Sequence, residues 1–102
     1  MDKFNPVAYT TRLCLTLNLL PQDVTKILNM FNEISRHPHW SSVRSNRGLL
    51  VDCAYIHCVN IGKNISVEKM KSITKKEFGA GTQPRPNKWR GGYELQSIIK
   101  PL

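Results

Sequence analysis

"GLLVDCAYIHCV", residues 48–59, decides how this chain folds. Wound at about 100° per residue, its apolar side chains fall on every side, and only Asp52 and His57 interrupt them. A surface helix keeps one polar face, so a segment apolar nearly all round is expected to be enclosed by its neighbours. Ser42 or Asn46 is read as its cap and Gly62 as its end, which gives a third helix over about 46–61 and makes it the central element.

Outward from that centre, the flanking segments repeat at helical spacing. Asn5 and Pro6 have the form of an N-cap and first helical residue, and Tyr9, Leu13, Leu17 and Leu20 follow at three- and four-residue steps; helix one is expected over about 6–19. Pro21 opens a second helix with Asp23 in its first turn, and Val24, Ile27, Leu28, Phe31 and Ile34 form its apolar stripe over about 22–35. "RHPHWSSVRS", residues 36–45, reads as a loop carrying Trp40. Beyond the central helix, Ser66 caps a fourth helix over about 66–78 with Val67, Met70, Ile73, Thr74 and Phe78 on one arc, Lys71 and Lys75 on its exposed side, and Gly79 as a left-handed end. A fifth helix is expected over about 87–99. No alternating run competes for β structure, so the class is all-α: one domain over 1–102, a five-helix bundle around a buried third helix.

Charge narrows the partners. The chain of 102 residues carries a formal charge of +8. Residues 61–102 hold nine Lys or Arg against three Glu, +6, while residues 1–60 hold six against four acids, +2. Such asymmetry favours a polyanion through long-range steering, against the plainer reading of solubility. Cys14, Cys53 and Cys58 cannot all pair within one chain and show no C-x-x-C spacing, so an intracellular, thiol-reduced, metal-free protein is expected. Neither a signal peptide nor a membrane span is supported by the apolar runs.

Catalytic and metal patterns are thin. His37, His39 and the i, i+4 pair Cys53 and His57 invite zinc, yet the pair lies in an apolar helix where core packing explains it more simply. Asp52 has no second carboxylate in its pattern, and is read as a buried partner for an arginine such as Arg12 or Arg44. No nucleophile, base and orienting group form a string, so neither enzyme activity nor a cofactor is expected. Trp40 beside the two histidines reads as a stacking surface or, more simply, as a cover for one end of the bundle.

The basic C-terminal stretch "EFGAGTQPRPNKWRGGYEL", residues 77–95, admits three readings. A phosphate cradle needs successive backbone N–H groups, and Pro84 offers none at the end of "GAGTQP". A disordered tail sits poorly with Trp89, Tyr93, Leu95, Ile98 and Ile99, which call for burial. A helix-turn-helix uses every part: helix four crosses the phosphates, residues 79–86 turn, and helix five presents its N-terminal cations. Against it, Gly91 and Gly92 inside a helix cost about 2 kcal/mol relative to two alanines. The expected DNA-contacting set is Lys71, Lys75, Lys76, Arg85, Lys88 and Arg90; the competing view makes the fourth helix's lysines a solvated face.

Several strings, in their order, resemble a known family. "TTRLCLTLNLLPQDVTKILNMFNEI" resembles the first two helices of a cyclin-like repeat of the transcription factor B family, archaeal and eukaryotic. "RSNRGLLVDCAYIHC" is similar to that family's central helix, and "ISVEKMKSI" and "KWRGGYEL" to its fourth and fifth. The resemblance covers about residues 5–99, and implies a stand-alone single repeat whose last two helices enter a major groove. A small, non-enzymatic, transcription-associated DNA-binding module is the function so implied, with duplex DNA and a protein of the transcription machinery as partners. Pairing of two copies would imitate the family's two-repeat arrangement. The alternatives are a cyclin-like adaptor that docks proteins in a groove beside the central helix, or a mimic occupying a transcription factor B site on a partner.

Overall fold

The computed structural model describes residues 4–36 and 45–84. They form four helices: α1 (Pro6–Thr16), α2 (Pro21–Ser35), α3 (Asn46–Asn60) and α4 (Val67–Phe78). All-α architecture therefore stands, with no strand among the described residues.

Each start has a local cause. Asn5 Oδ1 accepts the Ala8 N–H at 3.1 Å and Pro6 presets the first turn of α1. At α2, Leu20 cannot cap with its own side chain, so Asp23 reaches back and its Oδ2 accepts the Leu20 N–H at 2.8 Å. Ser45, rather than Ser42 or Asn46, caps α3 by accepting from Gly48, and Ser66 caps α4 by accepting from Lys69.

The ends are equally specified. α1 and α3 close with the same left-handed motif: Leu19 N–H bonds Cys14 O and Asn18 N–H bonds Leu15 O, while Lys63 N–H bonds Cys58 O and Gly62 N–H bonds Val59 O. The left-handed residues are Asn18, φ 59°, and Gly62, φ 80°. Helix one is thus shorter than the expected 6–19, because its leucine stripe continues past a residue that turns the chain; Leu20 is 56% exposed.

α3 is the most enclosed helix. From Gly48 to Cys58 every residue but Tyr55 is buried, and Leu50, Ala54 and Cys58 are fully so. α2 lies along it with Ile27, Phe31 and Ile34, and α1 adds Leu13 and Cys14, followed by its C-cap Leu17. Burial of each large apolar side chain contributes roughly 1.5–3 kcal/mol, against about 1 kcal/mol for a cap, so the stripes and not the caps set how the helices face each other. α4 docks on α1 through a stacked pair, Tyr9 and Phe78, with centroids 3.9 Å apart. Arg12 lies 4.9 Å over the Phe78 ring and donates to the Glu77 carbonyl at 2.7 Å and to Glu77 Oε1 at 3.2 Å.

The expected five-helix cyclin-like bundle with a terminal helix-turn-helix is corrected in its helix count. Four helices, not five, make up the described residues, and the expected fifth, 87–99, lies outside them. After the left-handed Gly79, residues 80–84 also fold back along α4 instead of leaving it in a short turn. Thr82 N–H donates to Thr74 Oγ1 at 2.7 Å, that hydroxyl donates to Lys71 O at 2.9 Å, and Pro84 is buried. The physical reason lies in Thr74: its hydroxyl is buried and needs both a donor and an acceptor, and the returning strand of chain supplies the donor.

Candidate functional site

α4 carries the basic residues. At about 100° per residue its core arc holds Met70 and Thr74, both fully buried, flanked by half-buried Ile73, Glu77 and Phe78. Lys69, Lys71, Lys75 and Lys76 are exposed, and none enters the ion pairs formed among the described residues. They fall on two flanks. Lys71 and Lys75 border the returning segment, where a Cβ on Gly81 would sit 3.2 Å from Lys71 Cγ; Lys69 and Lys76, seven residues apart, share the other side. Of the expected DNA-contacting set, the structure thus gathers Lys71, Lys75 and Lys76 on one helix, whereas Arg85, Lys88 and Arg90 lie outside the described residues.

Beside the Lys69 flank opens a groove of about 840 Å³. Three helix ends build it: the left-handed ends of α1 and α3, and the capped start of α4. Leu17, Tyr55, Val59, Ile65 and Ile73 supply its apolar lining, Thr16, Asn18, Asn64 and Ser66 its neutral polar groups, and Lys63 and Lys69 its charges. Among the described residues no carboxylate lines it. Val59 remains 51% exposed and neighbouring Ile61 46%, although both follow a fully buried stretch of α3.

The other chemistry-bearing residues are used structurally. His57 Nε2 lies 2.7 Å from Asp23 Oδ1 in the buried α2–α3 interface, so Asp23 both caps α2 and holds His57. The hydrogen bond from His57 lowers the Asp23 pKa first, burial opposes this, and the Leu20 N–H adds to the lowering. Cys53 is fully buried, and the described residues contain no group of three or more His, Cys, Asp or Glu able to hold a metal. Burial pushes the Cys14 thiol up to about 12 and Cys58 up to about 11, and raises Cys53 too. Of the two arginines expected opposite buried Asp52, Arg12 is taken up by Glu77, and Arg44 lies outside the described residues. Trp40, His37 and His39 lie outside the described residues.

Two buried hydroxyls, Tyr9 Oη and Thr10 Oγ1, have no hydrogen-bond partner among the described residues. Burial raises the Tyr9 pKa; Thr82 and the Arg47 charge pull it down by less, and Thr82 does not complete a bond of ordinary geometry.

Sequence reasoning named a groove beside the central helix only as what an adaptor would use and did not place its lining, because that lining is contributed by the last turns of two helices and the first of a third. One local signal was present: Asn18 and Gly62, each following an apolar helical run, mark left-handed ends that bring those turns to the surface. It also missed Asp23 as the partner of His57, which lies 34 residues away. Set against family models, curated proteins and solved structures, the chain matches none of them.

Proposed function

We propose that this chain is a small, non-enzymatic, transcription-associated module that meets duplex DNA through the exposed lysines of α4. One observation carries the reading: Lys71, Lys75 and Lys76 lie exposed on a single twelve-residue helix, unneutralised by ion pairs among the described residues, in a chain of net charge +8. Exposed lysines on one rigid element present charges at fixed spacing to a phosphate backbone, the sequence-independent part of DNA affinity. Thiols buried and held protonated, with the one described histidine tied to a carboxylate, support a binding role over nucleophilic chemistry. The transcription association rests on the sequence resemblance to transcription factor B.

Fluorescence anisotropy on a random duplex pool, titrated with salt, tests the DNA reading. Affinity should fall steeply, with a log–log slope of about −0.9 for each phosphate contact, and Lys71→Ala and Lys75→Ala should each flatten the slope by about one. Absence of binding at low salt, or binding indifferent to both changes, removes it.

A further inference from the structure

The groove at the joined ends of α1, α3 and α4 lies apart from Lys71 and Lys75, and its chemistry differs from theirs. We infer that it docks a short acidic segment of a partner protein, anchored by one or two large apolar side chains. The apolar lining and the half-exposed Val59 call for an apolar anchor, which a phosphodiester backbone lacks. Asn18, Asn64 and Ser66 line the same space, with amides and a hydroxyl suited to a peptide backbone.

Charge selects the kind of segment. Lys63 and Lys69 contribute +2 to the groove, and no carboxylate among the described lining residues offsets them. Two helix C-termini contribute about −0.5 each and the N-terminus of α4 about +0.5, so the groove keeps roughly +1.5 after the dipoles are counted. The chain itself is a poor occupant: residues 85–102 hold four Lys or Arg against one Glu, and a second copy brings +8 to a basic rim. An acidic partner is complementary where the chain's own segments are not.

Selection from a displayed library of short random peptides tests this, with the full chain and its Val59→Glu variant as baits. Val59 is exposed, so the variant is expected to fold; circular dichroism verifies that it does. Peptides enriched on the wild type should combine Asp or Glu with Leu, Phe or Trp, and should bind at least tenfold more weakly to Val59→Glu and to a Lys63→Glu, Lys69→Glu double variant. The selected peptide should shift the amide resonances of Asn18, Val59, Asn64 and Ser66. Lys71→Ala and Lys75→Ala should leave its affinity within twofold, so loss of the DNA reading and loss of this one are separable. Enrichment of basic or uncharged peptides, equal recovery on both baits, resonance shifts confined to Lys71, Lys75 and Lys76, or displacement of the peptide by duplex DNA would each overturn the assignment.

Discussion

Asp23 shows how much one side chain can do in this fold. Its two oxygens serve two elements, one accepting the Leu20 N–H that starts α2 and the other holding His57 of α3 at 2.7 Å. The pair is buried, and removal of one partner leaves a buried polar group unmet, which costs about 1–3 kcal/mol. Asp23→Asn is therefore expected to lower stability at neutral pH by about that amount, read by urea denaturation. The pH dependence follows from the lowered Asp23 pKa. A carboxyl whose folded value lies below its unfolded value of about 3.9 stabilises the protein above that pH, and the contribution is lost as pH falls through the folded value. The stability gap between wild type and Asp23→Asn should be widest above about pH 4 and narrow in acid; a gap of constant size across that range would mean the carboxylate charge plays no part. None of this was legible along the chain. Asp23 reads as a first-turn acid at an N-terminus, which it is, while its bond to His57 depends on how α2 and α3 face each other.

At the scale of the element, α4 is specified by signals within reach of its own ends. Ser66 caps it, Met70 and Thr74 set its buried side, and Gly79 ends it at φ 81° with open space around the missing Cβ. Its continuation was less legible. The run after Gly79 has the composition of a turn, but residues 80–84 lie back along the helix because Thr74 holds the Thr82 amide. Thr74→Val keeps the side-chain shape and deletes that acceptor, so it is expected to cost about 1–3 kcal/mol. The loss should be local: hydrogen exchange at the Thr82 amide should accelerate far more than at the α3 amides. Uniform acceleration through the molecule would instead show that residues 80–84 unfold only with the whole domain.

Across the whole molecule, α3 is the most enclosed helix, packed chiefly on α2, and Ala54 is fully buried in it. A domain is stable by about 5–15 kcal/mol, whereas an unpaired buried ion costs several kcal/mol and a larger side chain adds overpacking strain. Ala54→Glu should consequently abolish the helical circular-dichroism signal at room temperature, while Ala54→Ser should retain it. A folded Ala54→Glu protein would show that the helix can turn that position toward water. Lys71→Ala and Lys75→Ala offer the contrast at this scale: both are exposed and outside the core, so melting temperatures should stay near that of the wild type even where DNA affinity falls.

Sequence by itself determined the all-α class, the four described helices to within three residues at every end, the caps at Asn5 and Ser66, and the enclosure of residues 48–58. These are local matters: periodicity, capping and turn chemistry act over a few residues, and an all-round apolar segment has few stable alternatives to a buried helix. The described residues hold four helices rather than five, and the expected fifth, 87–99, lies outside them; the return of residues 80–84 rests on Thr74 and is not written in their composition. Tertiary structure decided the Asp23–His57 bond, the tie of Arg12 to Glu77 across 65 residues, the return of residues 80–84 and the groove at the joined helix ends. Each of these depends on the rotation of one helix against another, which is set by the summed packing of side chains far apart in sequence and is written in no single stretch of it.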